Sequence, residues 1–248
     1  NDNDPYYLMS RGFDTFGVPL VLRDYQEDIL SRLIDGEDNE MFCTSRQIGM
    51  TLLMRLYMVH CILKGKSVVV VNNQTGCKNS FDHFSEFLHN IPYYMQPVVK
   101  DVNVSNLSLT FWNSKVVFSN RVRGLEDVDV LIFEDAGYNS SFENQYTSVM
   151  PKRFLYPEDK KTIVQSCASP GSYFNKLYQG NLDLTQTIMF DVFNKNTYKW
   201  DVFDRGVNWK ESTIKTLASV KSFLIEYECC MDDKRLDRSE KLGNILNK

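Results

Sequence analysis

Apolar and polar positions along this chain switch between a period near two and a period near 3.6, and the switches predict strands and helices in turn. An extended lead-in over residues 1–20 is broken by Gly12, Gly17 and Pro19. A helix is predicted from about Arg23, with Ile29, Leu30, Leu33 and Ile34 at helical spacing and Asp35-Gly36 ending it. Glu40 to Thr44 reads as a short strand and Leu52 to Leu63 as a helix. Ser67 to Val71 is a β-branched run suited to a central strand covered on both faces. Thr75 to Asn90 reads as a helix whose Phe81, Phe84, Phe87 and Leu88 share one face, a stripe for core packing rather than base stacking. Residues 98–119 alternate in short segments and predict a hairpin around Asn113-Ser114. Val128 to Phe133 and Lys161 to Cys167 are two further buried strands, and Lys210 to Cys230 a last amphipathic helix. Residues 232–248 are charged without strong apolar periodicity and read as a linker or mobile tail.

Strands alternating with helices make this an α/β chain with a mainly parallel sheet flanked by helices. Its 248 residues suffice for one large domain with a small appendage, and no internal repeat subdivides them. The N-terminus is polar and no apolar run is long enough to span a bilayer, so no secretory or membrane signal is read. Asn1 in place of methionine reads as an excised or processed start. Cysteines at 43, 61, 77, 167, 229 and 230 show no metal-ligand spacing, and several lie in apolar runs, as expected of free thiols in a reducing cytosol without zinc. A net charge of −4 argues against coating nucleic acid by bulk charge, while leaving room for a local DNA-gripping patch or a ring.

The candidate chemistry begins at residues 44–51, Thr-Ser-Arg-Gln-Ile-Gly-Met-Thr, between a predicted strand and a predicted helix. That context points a helix N-terminus at an anion. The Walker A pattern, G-x-x-x-x-G-K-S/T, wraps backbone amides around triphosphate oxygens, sends a lysine to the β/γ-phosphates and a hydroxyl to Mg²⁺. Gly49 supplies the close backbone approach and Thr51 the hydroxyl, but Thr44 stands at the first glycine position and Met50 at the lysine. The alternative is an ordinary strand-to-helix turn without ligand.

About eighty residues on, Asp129 to Gly137 has the Walker B form, an apolar strand ending in Glu134 and Asp135. The usual order is Asp-Glu; the order here assigns Glu134 to the metal and Asp135 to the attacking water. The bland alternative is two solvated acids ending a core strand. A third segment, Thr162 to Gly171, ends in small hydroxyl-bearing residues before Ser169-Pro170-Gly171, a strand end suited to sensing a γ-phosphate and equally to a plain turn.

Together these segments resemble the ATPase domain of tailed-bacteriophage large terminases. The resemblance rests on Leu22-Arg23-Asp24-Tyr25-Gln26 followed by Ser45-Arg46-Gln47-Ile48-Gly49-Met50-Thr51, similar to the family's L-R-x-Y-Q and S-R-Q-x-G-K-T motifs. Phe133-Glu134-Asp135-Ala136-Gly137 resembles the family's Walker B, some members of which carry Glu first. Ser166, Cys167, Ala168 and Ser169 resemble its coupling motif, and Trp209 to Cys229 its last ATPase-domain helix. The resemblance covers about residues 20–231. It implies a RecA-like, additional-strand P-loop fold over 21–231, with a helical subdomain over roughly 195–231. It implies ATP and Mg²⁺ as ligands: Arg23, Tyr25 and Gln26 framing the adenine, residues 44–51 holding the phosphates, and Thr51 with Glu134 holding the metal. Asp135 would position water and Arg46 would stabilise charge on the transferring phosphoryl. The function implied is a motor moving double-stranded viral DNA into proheads. Its implied partners are the portal protein and the small terminase subunit, and its implied state is a homo-oligomeric ring at the portal in the host cytoplasm. Arg121, Arg123 and Arg153 are candidates for an arginine finger reaching a neighbour's site.

The chain departs from the family twice. No room remains after Met231 for the nuclease domain, so it reads as a motor half or a split subunit, for which no endonuclease activity is claimed. At position 50, loss of a charged phosphate contact is worth about 1.5–3 kcal/mol and about 10²–10³ in rate. Arg46, permanently charged, is one compensation; a deliberate lysine-to-methionine replacement fits equally. Two alternatives to a working motor stand beside it: a nucleotide-binding structural subunit that does not hydrolyse, and a superfamily-two helicase fragment, which would need a second RecA-like domain.

Overall fold

The computed structural model describes residues 21–36, 39–91, 96–122, 124, 127–155, 160–180, 193–200, 206–217 and 219–246. The lead-in 1–20 and Arg123 lie outside them. The described elements run in chain order as α1 (Asp24–Ile34), β1 (Asn39–Thr44), α2 (Met50–Leu63), β2 (Val68–Val71), α3 (Gln74–Asn90), β3 (Asp101–Asn103), β4 (Ser108–Thr110) and β5 (Lys115–Ser119). There follow β6 (Val130–Phe133), a 3₁₀ turn (Ala136–Tyr138), α4 (Phe142–Leu155), β7 (Lys161–Ser166), α5 (Tyr173–Gln179), β8 (Phe193–Tyr198), α6 (Gly206–Leu217), α7 (Val220–Glu226) and α8 (Asp233–Leu246).

The strands form one eight-stranded sheet in the order β3-β4-β5-β2-β6-β7-β1-β8. From β5 to β8 every pairing is parallel; β3, β4 and β5 pair antiparallel, through the hairpin expected at Asn113-Ser114. Strand β7 lies between β1 and β6, so the loop after β1 and the acids after β6 flank a strand that can touch both. This is the additional-strand, RecA-like arrangement the resemblance implied.

Alternation along the central strands builds a core on each face. Val68 and Val70 of β2 and Val130 and Ile132 of β6 join Leu53, Met54 and Phe84 beneath α1, α2 and α3. Their neighbours Val69, Val71, Leu131 and Phe133 face Phe142, Tyr146, Val149 and Phe174 of α4 and α5. Each fully buried valine or phenylalanine contributes about 1.5–3 kcal/mol relative to exposure, so both faces of these short strands are covered.

Two cations hold the end of the sheet opposite the P-loop, at the starts of its inner strands. Lys161, 8% exposed, donates from Nζ to the carbonyl oxygens of Arg32 (2.8 Å), Leu33 (2.8 Å) and Gly36 (2.6 Å). The first two belong to the C-terminal turn of α1 and the third lies just past its cap, where free carbonyls and the helix dipole favour a positive charge. Replacing Lys161 by methionine is expected to lower stability by about 2–4 kcal/mol, read as a thermal melt; a loss under about 1 kcal/mol would show the contact to be dispensable. Arg153 corrects an expectation. Its buried guanidinium donates to Thr162 Oγ1 (2.9 Å), to the Val128 carbonyl (2.7 Å) and to the Lys161 carbonyl (2.9 Å). It staples α4 to the starts of β6 and β7 and cannot serve a neighbouring nucleotide.

The C-terminal third differs most from expectation. Residues 195–198 belong to β8 and extend the central sheet beside β1, so a subdomain beginning near 195 would cut a strand. The single helix expected over 210–230 is two, because Ser219 caps a fresh start, its hydroxyl accepting from the Ser222 amide (3.2 Å). The tail expected to lack structure contains α8, anchored by buried Leu236 and by the Arg235–Glu228 ion pair (3.1 Å). An aromatic cluster of Trp200, Trp209, Phe223 and Tyr227, with ring centroids 5.3–6.3 Å apart, binds α6 and α7 to the end of β8.

Candidate nucleotide site

The P-loop owes its path to two left-handed residues, Gln47 (φ 65°) and Gly49 (φ 86°). Gly49 is required twice over: a side chain there would be strained, and its Cβ would lie 2.5 Å from Gln26 Nε2. Gln26 explains that closeness. Its Nε2 donates to the Ile48 carbonyl (2.8 Å), its Oε1 accepts from the Arg23 amide (3.1 Å), and Tyr25 Oη also donates to the Ile48 carbonyl (3.2 Å). The residues expected to frame adenine therefore brace the loop in this structure. The first-turn amides of α2, at Met50, Thr51 and Leu52, head a helix that leaves such donors without intrahelical partners.

The loop is also held from the C-terminal side. Ser45 N donates to the Tyr198 carbonyl (2.7 Å) and Arg46 N to the Glu226 carbonyl (2.9 Å). The Arg46 guanidinium pairs with Glu226 (Nε–Oε2 3.3 Å) and lies over the Tyr138 ring at 5.8 Å. Glu226 and Tyr138 carry no motif signal, which is why the sequence did not single them out.

Two cavities meet here. The larger, about 670 Å³, is lined by Thr44 to Thr51, with Asp135, Tyr138, Gln165, Cys167 and Glu226. Its size falls in the range of small-molecule and cofactor sites. The smaller, about 200 Å³, is lined by Thr51, Glu134 and Asp135 together with Arg55, Asn72 and Ser80. Thr51 and Asp135 line both. The hydroxyl and the acid pair, some eighty residues apart in sequence, thus share one concave site.

Glu134 directly follows β6 and is half-buried. Its Oε2 accepts from Ser80 Oγ (2.5 Å) and Asn72 Nδ2 (3.4 Å). Burial raises its carboxyl above the usual glutamate range; the Ser80 and Asn72 contacts and Arg55 pull it back, and Asp135 pushes it further up. Asp135 adopts a left-handed conformation (φ 50°, ψ 39°) that aspartate tolerates better than most residues. It opens to solvent on one side, yet the protein around it raises its carboxyl, with Arg46 opposing. Hard oxygen donors from Thr51 and Glu134 beside a helix N-terminus fit a Mg²⁺–phosphate pair. Among the described residues no group of three or more His, Cys, Asp or Glu is placed to hold a metal ion.

Strand β7 joins the two halves. Gln165 contacts both sides: its Oε1 accepts from the Asp135 amide (3.4 Å) and its Nε2 donates to Thr44 Oγ1 (3.4 Å). Ser166 Oγ accepts from the Gly137 amide (3.0 Å), and Ser169 Oγ donates to the Gly137 carbonyl (2.8 Å). A Cβ on Gly137 would lie 2.6 Å from that of Ser169, so glycine permits this contact. Cys167 lines the larger cavity with its thiol pushed up to about 12, chiefly by burial, and Ala168 is buried beneath it. Met50 is 6% exposed and packed into the core under α1, with no charge to offer.

No protein-family profile and no curated protein sequence matches the chain. Solved structures do. A variant of the large terminase ATPase domain of Thermus phage P74-26 superimposes with a TM-score of 0.62 at 13% identity, over 88% of this chain and 96% of that one. The large terminase of bacteriophage HK97 gives 0.60 at 14% identity, over 98% of this chain and 52% of that longer one. The large terminase of a thermophilic bacteriophage, in complex with ATP-γ-S, gives 0.56 at 12% identity, over 85% and 53%. The chain has the fold of a large terminase ATPase domain.

Proposed function

We propose that this chain is the ATPase motor domain of a viral large terminase, coupling ATP hydrolysis to movement of double-stranded DNA into proheads. The observation that carries the reading is the convergence of the P-loop, Thr51 and the Glu134–Asp135 pair on adjoining cavities, bridged by β7, in a fold shared with large terminase ATPase domains.

The triphosphate lies along the N-terminus of α2, where backbone donors and the helix dipole favour it. Thr51 Oγ1 and Glu134 would hold Mg²⁺, which would supply positive charge to the transferring phosphoryl group. Asp135 orients the attacking water and accepts its proton. Arg46 leaves Glu226 and Tyr138 for the nucleotide, and Gln165, Ser166 and Ser169 pass the change at Asp135 and Gly137 along β7. Because Glu226 and Tyr198 hold the loop, a shift in Arg46 also moves α7 and the end of β8. The proposed partners are double-stranded DNA, the portal protein, the small terminase subunit and further copies of this chain in a ring at the portal in the host cytoplasm, with Arg121 the remaining described finger candidate.

The test is calorimetric titration of the full chain with ATP-γ-S and Mg²⁺, followed by phosphate release from ATP. Micromolar to millimolar binding and measurable turnover are expected; no binding at millimolar nucleotide would refute the reading.

A buried Met50 favours a second reading, a structural subunit that binds ATP without hydrolysing it. Replacing Met50 by lysine separates the two. Motor function leads us to expect turnover already present and raised about tenfold, short of the 10²–10³ that a lone transition-state donor is worth. A thousandfold rise from an undetectable rate would favour the structural subunit. The superfamily-two helicase fragment is the weaker alternative, because the structural similarities reported above are to large terminases.

A further inference from the structure

Position 50 leaves a charge unfilled, and Arg46 does not fill it in this structure, being paired with Glu226 and set over Tyr138. Arg55 is differently placed. It lies on α2, four residues after Thr51, on the same helix face and about one turn further along. Helical side chains lean toward the N-terminus, and an arginine stem exceeds the pitch of about 5.4 Å, so the guanidinium reaches back to the level of Thr51. It lines the cavity of about 200 Å³ with Thr51, Glu134 and Asp135, with Asn79 and His83 beside it.

Arg55 is half-buried and forms no hydrogen bond or ion pair among the described residues. It feels Glu134 and Glu86 only at longer range, and burial lowers its basicity without a close anion to offset it. A partly desolvated guanidinium beside a metal-binding carboxylate, with a fork of donors unspent, is arranged to receive an anion. The chemical class is set by the neighbours: a phosphoryl group shared with a cation at Thr51 and Glu134.

We propose that Arg55 is a catalytic residue that contacts the terminal phosphoryl group of the bound nucleotide through the smaller cavity, taking over the charge that Met50 lacks. The proposal rests on the ATPase reading and adds to it the source of the missing cation. Arg55 approaches from the side of the acid pair, whereas a lysine at position 50 approaches from the loop. It distinguishes a triphosphate from a diphosphate, since only the former carries a group within its reach.

The test compares ATP-γ-S and ADP, each with Mg²⁺, by calorimetric titration of the full chain and of its Arg55→Met and Arg55→Lys variants, with a thermal melt as a folding control. Arg55→Met is expected to weaken ATP-γ-S about ten- to hundredfold while ADP changes less than threefold, and Arg55→Lys to recover part of the loss. Adding Met50→Lys to Arg55→Met is expected to restore the preference for ATP-γ-S. If the unmodified chain binds both nucleotides and the preference is the same in Arg55→Met, or ADP weakens in step with ATP-γ-S, the assignment of Arg55 is overturned and the ATPase reading stands. If the unmodified chain binds neither, both fall. Should Arg55→Met fail to fold, the Arg55→Lys variant decides, an unchanged ATP-γ-S to ADP ratio and unchanged turnover overturning the proposal.

Discussion

Replacing Asp135 by asparagine is expected to lower steady-state phosphate release by about 10²–10³-fold, with ATP-γ-S affinity unchanged within about threefold. Asparagine keeps the shape of aspartate and tolerates the left-handed backbone found there (φ 50°), so the turn into the 3₁₀ segment survives. What is lost is the acceptor for the proton of the attacking water. The same assignment gives a pH dependence. Asp135 must be ionised to act, and the surrounding protein raises its carboxyl above the ordinary aspartate range. Activity therefore falls on the acid side at a pH above that of a free aspartate, and Arg46→Gln, which removes the opposing charge, moves that fall higher still. Phosphate release across a pH series measures both. Unchanged turnover in Asp135→Asn would remove Asp135 from the mechanism and leave the acid pair a structural strand end.

Most of what positions this site was legible in the sequence, because it was written as apolar pattern or as a local motif. Val68 to Val71 and Val130 to Phe133 are buried on both faces, so their runs are continuous and hard to misread. The P-loop and the acid pair are short motifs whose spacing is set by backbone geometry. The missed elements lack such pattern. Strand β8 reads Phe-Asn-Lys-Asn-Thr-Tyr, and its place depends on pairing along all of β1, with Asn196 donating to buried Glu40 (2.7 Å), not on apolar alternation. Helix α4 contains Pro151 and buries polar residues such as Gln145, which donates to the Asn120 carbonyl (2.7 Å). Its helicity comes from tertiary contacts that propensity does not foresee. The contacts of Gln165 and Glu226, and the place of Arg55 in the cavity beside Glu134, are long-range in sequence, and no motif spacing reveals them. Arg153 shows the converse: an arginine near a Walker B strand invites a catalytic role, but position on the sheet, not proximity in sequence, decides what it touches.

Glu134→Gln is expected to abolish hydrolysis, by about 10³-fold or more, and at the same time to make the folded chain more stable. The two effects share one cause. The carboxylate is needed as a hard anionic ligand for the metal, and a neutral amide oxygen is a far weaker one. Yet holding that anion half-buried beside Asp135 is unfavourable in the free protein, which is why its carboxyl titrates above the usual glutamate range. A carboxyl raised above its unfolded value contributes stability while protonated and loses it as pH rises through the folded value. At neutral pH the ionised group therefore costs stability, and glutamine removes that cost while still able to accept from Ser80. The gain in melting temperature should shrink toward about pH 4 and below, where glutamate is protonated in both folded and unfolded chains. Melts of Glu134→Gln against the unmodified chain at neutral and acid pH, without nucleotide, measure this independently of turnover. A variant that is inactive and less stable at neutral pH would mean that Glu134 is a structural acid whose loss damages the fold. An inactive but stabilised variant would mark it as a group kept strained for the metal it must bind.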